Sequence, residues 1–267
     1  MNLTVSAQSI AEHFVAARRD ARALAEYPGV RPENLAQAYA IQDEALAIDD
    51  RTVVGWKVGR INAPLDAQLG SNRLAGPIFS DSVVFVKPAE CPDMPVYADG
   101  FAAGEAEMLL HVKAGWDGRV PANDAETLAL LDDIRLGIEI ASSPYSGINA
   151  DGPAVTVSDY GNNAGLVIGE PIADFAQVDL CAIEVQSLVD GREVGRATAA
   201  TMLDGPLGAV RFILGNLSDR GIDVSAGSWI STGAITGVHE IAIGQRFTAV
   251  FVGQGAIECN ITEAQPR

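Results

Sequence analysis

The sequence is poor in residues that mark several common protein classes. Its 267 residues include three cysteines, Cys91, Cys181 and Cys259. They are odd in number, widely spaced and without a CxxC pair, which excludes a disulfide framework and predicts ordinary thiols in a reducing compartment. Histidine is equally scarce, and His13, His111 and His239 show no metal-ligand spacing, so a zinc site is not expected. Basic residues are few: 18 Lys and Arg stand against 35 Asp and Glu, a formal charge of -17. Such a field repels phosphate backbones and anionic bilayers, so neither nucleic acid nor membrane is an expected partner. No segment approaches the ~18 apolar residues of a membrane span. The opening stretch MNLTVSAQSIAEHFVAARRD also lacks the basic start and apolar core of a secretory leader, so a cytoplasmic protein is expected.

What is present suits a globular enzyme-sized chain. Hydrophobic residues make up 48% and charged residues 20%, enough apolar material for a sizeable core. The acid excess would repel a small anionic substrate unless a bound cation and a few placed basic groups reversed the sign locally.

From about Ser6 to Tyr27, Ile10, Phe14, Ala17 and Leu24 recur at helical intervals, while Glu12, Arg18, Arg19 and Asp20 fill the other face. After a break at Pro28 to Pro32, a second helix is predicted from Pro32 to Ile48, with Pro32 in its first turn and Leu35, Ala38, Ile41 and Leu46 inward. Beyond Asp50 the texture changes to short apolar runs punctuated by glycine and proline. Strands are expected at Val53–Val58, Ser82–Val86, Glu105–Val112, Ile134–Ile140, Leu166–Ile168, Ala182–Leu188 and Arg246–Val252. Without regular βαβ alternation, they suggest a folded-over mixed sheet. One helix, from about Pro206 to Asp219, interrupts them, with Asp204 as its cap and Gly221 as its stop. The expected organisation is a helical segment over residues 1–52 packed on a β-rich catalytic domain over 53–267.

Glu105 and Glu107 sit two apart in a strand-like run, so both carboxylates point to the same face. Side by side they are tolerable on a wet surface or around a shared cation, and the pair alone leaves both readings open. Glu139 has apolar neighbours on both sides in Leu136-Gly137-Ile138-Glu139-Ile140-Ala141, as in a strand covered on both faces, where a carboxylate needs a partner. The same holds for Lys57 within Val53-Val54-Gly55-Trp56-Lys57-Val58-Gly59. Three carboxylates together would make an all-oxygen site suited to Mg²⁺ or Mn²⁺. His111 reads as a packed or surface histidine, with a place behind the ligands as the alternative.

Five fragments occur in a particular order: Gly55-Trp56-Lys57-Val58-Gly59, Glu105-Ala106-Glu107, Gly137-Ile138-Glu139-Ile140, Asp159-Tyr160-Gly161-Asn162-Asn163-Ala164-Gly165 and Gly205-Pro206-Leu207-Gly208-Ala209-Val210. Ala38-Tyr39-Ala40-Ile41-Gln42 precedes them and Ser231-Thr232-Gly233 follows. In this the chain resembles the hydratase and decarboxylase branch of the fumarylacetoacetate hydrolase superfamily, nearest to the 2-oxopent-4-enoate hydratases. The resemblance implies an α+β fold, a mixed β roll or barrel of the superfamily's C-terminal-domain type with an N-terminal helical segment. It implies Glu105, Glu107 and Glu139 as ligands of Mg²⁺ or Mn²⁺, Lys57 and Asp81 as catalytic groups, and Arg60, Asn163 and Ser231 as substrate contacts. The implied substrate is a small anionic 2-oxo acid from aromatic catabolism, and the implied assembly a homo-oligomer.

The chain departs from the branch where relatives usually read Glu-Ile-Val-Asp-Ser-Arg. Here the run is Glu139-Ile140-Ala141-Ser142-Ser143-Pro144, so an acid and a base are missing just after the third ligand. Relatives also favour serine near Asn163. Hydration of a 2-hydroxy-2,4-dienoate is the leading expectation, with decarboxylation of a 4-oxalocrotonate-type dicarboxylate as its close competitor. Acylpyruvate hydrolysis ranks lower because the expected lid, Ile61 to Gly76, has no histidine. The alternative from another class is a non-catalytic partner subunit in stable complex with an aldolase or decarboxylase of the same pathway.

Overall fold

In the computed structural model, which describes residues 6–267, the short apolar runs pair into two sheets and the helical segments pack against them. The order is α1 (Ala7–Arg19), α2 (Leu35–Ile48), β1 (Val53–Arg60), α3 (Leu65–Leu69), β2 (Arg73–Phe79), β3 (Val83–Phe85), β4 (Asp93–Val96), β5 (Phe101–Val112), α4 (Asp124–Ala129) and β6 (Leu131–Ser143). Then come α5 (Pro153–Ser158), β7 (Asn163–Pro171), β8 (Glu184–Val189), β9 (Arg192–Thr198), α6 (Gly205–Asp219), β10 (Ser228–Ser231), β11 (His239–Glu240), β12 (Arg246–Phe251) and β13 (Gly255–Glu263). The larger sheet runs β2-β1-β10-β5-β6-β7-β3, with β11 also on β5, and the smaller runs β4-β13-β12-β8-β9. β1 and β10, β3 and β7, and β4 and β13 pair in parallel, and the other pairs are antiparallel. This is the expected α+β architecture, a curled mixed sheet with a few helices.

Alternation along the central strands separates core from site. Trp56, Val58, Ile230, Ala106, Met108, Leu110, Ile138 and Ile140 belong to the main core with Val210, Ile213 and Leu214 of α6 and Phe247 and Ala249 of β12. Their strand neighbours Lys57, Ser231, Glu105, Glu107 and Glu139 therefore face the opposite side. Register completes the set: Lys57 lies beside Ser231, and Glu105 beside Glu139.

Several expected boundaries move. α1 stops at Arg19, short of Tyr27, because Ala21 turns left-handed (φ 48°) and the Leu24 amide is taken by the Pro144 carbonyl at 2.8 Å. α2 begins at Leu35 and leaves out Pro32: Asn34 caps it by accepting from the Gln37 amide at 2.9 Å. Asp204 precedes α6 but makes no side-chain cap, since its carboxylate is engaged by Arg73 and Arg211. The expected lid is in part strand. Only α3 and its flanks match it, and Arg73 to Gly76 lie in β2. The short helices α4 and α5 add to the single helix expected in this region. The leader expectation rests partly on residues 1–5, which lie outside the described residues. Among the described residues no helix is long and apolar enough to cross a membrane.

Candidate metal centre and active site

Glu105, Glu107 and Glu139 converge. One carboxylate oxygen from each lies within 4.8 Å of the others, and all three residues are buried, Glu107 and Glu139 completely. This removes the solvated-surface reading of the Glu105/Glu107 pair. Lys57, 4% exposed, sets its ammonium 3.4 Å from Glu139 Oε1 and 3.3 Å from Asn162 Oδ1. When all are ionised, three carboxylates face one ammonium in a desolvated site. Burial, reinforced by Glu139 and overcoming the pull of Lys57, raises Glu105 to about 7. Burial together with Glu139 and Glu105 raises Glu107 well above the usual carboxylate range. Burial alone would lower Lys57, but Glu139, Glu105 and Glu107 outweigh it and the ammonium holds its proton more tightly than an ordinary lysine.

The donor set fits a hard divalent cation. Glu107 Oε1 and Glu139 Oε2 are buried without a hydrogen-bond partner, an expensive arrangement unless something cationic engages them. The remaining oxygens are held from behind. Ser231 Oγ and the Gly233 amide donate to Glu107 Oε2 at 2.5 and 2.8 Å, and Asn163 Nδ2 donates to Glu139 Oε1 at 2.9 Å. Such supports fix carboxylate orientation in metal sites.

The cluster opens into a cavity of about 670 Å³ lined by Lys57, Arg60, Arg73, Glu105, Asn162 and Thr236 among others. Arg60 stands at its exposed side and donates to the Thr201 carbonyl at 3.3 Å. Arg73 is buried and paired with Asp204. Asn163 and Ser231 touch the glutamates and are not among the cavity-lining residues. Asp81 is not brought here at all: it lies on the short turn after β2 and pairs with Arg267 at 3.2 Å on the surface. His111 contacts Asp132 at 2.6 Å and packs against Trp229, outside the cavity lining.

Sequence reasoning passed over Asn162, which touches Lys57, and put Arg18 on the outer face of the first helix, whereas it is buried, paired with Asp159 and hydrogen-bonded to the loop that carries Asn162. Arg18 sits four residues after Phe14, on the buried side of α1, and that spacing was its only local signal. Ser142 and Ser143, at the departure just after Glu139, satisfy buried groups. Ser142 Oγ donates to the Phe101 carbonyl at 2.6 Å, and Ser143 Oγ donates to Asp159 Oδ2 at 2.6 Å.

Gly76 fixes how close the loop can come. A Cβ there would collide with the Tyr160 carbonyl, and the next loop residue, Gly161, lies against the Lys57 side chain. Replacing Gly76 by Ala is expected to cost about 1–3 kcal/mol, as overpacking generally does, and to depress turnover more than the melting temperature. A variant with full activity would show that this close approach does not matter.

No family model matches the chain. Among curated proteins it is 26% identical over 264 residues to 4-oxalocrotonate decarboxylase of Pseudomonas putida, covering 96% of this chain and 98% of that protein. It is also 26% identical over 252 residues to 2-hydroxyhexa-2,4-dienoate hydratase of Comamonas testosteroni, covering 92% and 94%. Among solved structures, 4-oxalocrotonate decarboxylase from Pseudomonas putida G7, complexed with magnesium and adipate, superposes with a TM-score of 0.79 at 23% identity over 96% of this chain and 97% of that one. Fumarylpyruvate hydrolase from Pseudomonas aeruginosa, in complex with Mn²⁺ and pyruvate, gives 0.57 at 16% identity over 81% and 94%. With the fold shared and the relatives aligned almost end to end, the chain is similar along nearly its whole length to the 4-oxalocrotonate decarboxylases and dienoate hydratases, the branch of the fumarylacetoacetate hydrolase superfamily that its sequence resembles.

Proposed function

We propose that the protein is a divalent-metal-dependent hydro-lyase that adds water to a short 2-hydroxy-2,4-dienoate of the 2-oxopent-4-enoate type, giving a 4-hydroxy-2-oxo acid. The observation that carries this is the buried Glu105/Glu107/Glu139 cluster, with two unpartnered oxygens, beside Lys57 at the end of a cavity. On this reading the three glutamates hold Mg²⁺ or Mn²⁺, which supplies Lewis-acid stabilisation of negative charge on the oxygens of a 2-oxo acid. Lys57, cationic and desolvated, holds the substrate's carboxylate end through a charge-assisted hydrogen bond. Asn162 keeps the ammonium aimed, and Asn163, Ser231 and the Gly233 amide keep the glutamates turned inward. The hydroxyl of water adds at C4, the neighbouring carbons gain the protons, and the enol oxygen becomes the ketone.

The reading assigns catalysis to residues 53–267, supported by the helical segment 1–52, and implies a cytoplasmic homo-oligomer in aromatic catabolism. Proton NMR of the purified protein with fresh 2-hydroxypenta-2,4-dienoate and Mg²⁺ tests it. Appearance of the 4-hydroxy-2-oxo acid, abolished by EDTA, is the expected result, and an unchanged dienoate would reject hydration of this substrate.

A second reading, decarboxylation of a 4-oxalocrotonate-type dicarboxylate, is favoured by Arg60. Among the described residues no carboxylate pairs with this guanidinium, in contrast to Arg73, so it is available to a second substrate carboxylate. Arg60→Ala is then expected to raise KM for the dicarboxylate by about tenfold, on the order of one charge-assisted hydrogen bond, with little change for the monocarboxylic dienoate. Equal effects on both would remove Arg60 from substrate discrimination.

A further inference from the structure

We propose that Arg18, in the last turn of α1, is a positioning residue of the active site: it clamps both ends of the 159–163 loop and so aims Asn162 at Lys57 and Asn163 at Glu139. The inference rests on the functional reading above. Arg18 is 3% exposed. Its Nε donates to Asp159 Oδ1 at 2.5 Å and its Nη2 to Asp159 Oδ2 at 2.9 Å, a two-pronged pairing at the start of the loop. Nη1 donates to the Asn163 carbonyl at 2.8 Å, at the loop's end, and Nη2 also reaches the Ser142 carbonyl at 3.1 Å, on the strand of Glu139. One planar group thus ties the first helix to both ends of the loop and to β6. A lysine ammonium is a single point and cannot bridge these positions.

The loop needs such a clamp. Tyr160, Gly161 and Asn162 are consecutively left-handed, with φ of 57°, 61° and 56°. Only the glycine adopts that conformation freely, and a bulky residue there persists when its surroundings over-determine it. Other contacts help: the Tyr160 hydroxyl donates to Asp49 at 3.0 Å and Asn162 Nδ2 to Asn149 at 2.9 Å. Neither spans the loop. A buried ion pair contributes little net stability compared with well-packed apolar residues of similar volume, so stability alone does not account for this one.

The test uses Arg18→Lys and the double variant Arg18→Met/Asp159→Leu, which removes both buried charges together and so leaves none unpaired. The expected double variant still folds and melts cooperatively, at a lower temperature than wild type because the Asn163 and Ser142 carbonyls and the Ser143 hydroxyl lose buried partners. Its Asn162 and Asn163 amides exchange hydrogen about tenfold faster, while amides of β5 and β6 are unchanged. Its Mn²⁺ affinity weakens about fivefold or more, and kcat falls about tenfold with KM within about threefold. Arg18→Lys should share the faster loop exchange. Loop exchange within twofold of wild type in the folded double variant would overturn the proposal. So would a loosened loop with wild-type kcat and Mn²⁺ affinity, since the pair would then be structural only. Wild-type protein that neither binds Mn²⁺ nor converts the dienoate would reject the functional reading, and loop exchange alone would then decide whether Arg18 holds the loop.

Discussion

Replacing Glu107 by Gln is expected to raise the melting temperature of the metal-free protein while lowering metal-dependent turnover on the order of a thousandfold. The two effects share one cause. Glu107 is fully buried against Glu105 and Glu139, and its Oε1 has no partner. Burial and the charges of Glu139 and Glu105 already push its carboxyl toward the protonated form. A neutral amide keeps an oxygen for Ser231 and the Gly233 amide, removes the like charge and presents an N–H₂ to the other carboxylates. About 1–2 kcal/mol of relief, a few degrees in melting temperature for a chain of this size, is reasonable. On the proposed reading the same change removes one of three anionic ligands. Stability gained where activity is lost is the usual signature of a functional site that strains the fold. Thermal melts with EDTA, alongside the NMR assay, measure both; a variant with wild-type metal-dependent turnover would remove Glu107 from the site.

The metal-free protein should also lose stability as pH rises from about 5 to about 8, and Mg²⁺ should restore it. Glu105 is raised from 4.5 to about 7, foremost by burial. Between those values the folded chain holds a proton that the unfolded chain has released. Stability contributed by this protonation is therefore complete below the unfolded value and is lost as pH climbs through the folded one. A gap of that size corresponds to on the order of 3 kcal/mol, or roughly 5–10 °C in melting temperature. A cation that displaces the protons binds more tightly as pH rises, so the Mg²⁺-induced shift should grow over the same window. Scanning calorimetry across pH, with EDTA or with saturating Mg²⁺, checks this. A metal-free melting temperature that is flat or rising over the window, or an equal slope in Glu105→Gln, would contradict it.

These expectations rest on parts of the site that differ in how legible they were in the sequence. Glu105 and Glu107 share a face because strand side chains alternate, and Glu139 stood out because apolar residues flank it on both sides; both are local signals. β2 was hidden because Gly76 and Pro77 resemble loop chemistry. Proline is tolerated there because β2 is the edge of its sheet, with β1 on one side only. β13 carries alternating buried Ile257, Cys259 and Ile261, a readable pattern obscured by the glycines before it. Asp204 followed the helix-cap rule but is occupied by Arg73, distant in sequence, and by Arg211 of the same helix. The 159–163 loop is the hardest case. Its left-handed run includes Tyr160 and Asn162, and what holds it is Arg18, 141 residues before Asp159. Local propensity cannot report a conformation imposed from that far along the chain.

The most direct test of the metal centre is anomalous diffraction at the manganese edge from crystals grown with Mn²⁺. The structure predicts one strong peak bounded by Glu105, Glu107 and Glu139, absent after EDTA and absent in Glu107→Gln. Glutamates free of metal under saturating Mn²⁺, or a peak only elsewhere on the protein, would contradict the account.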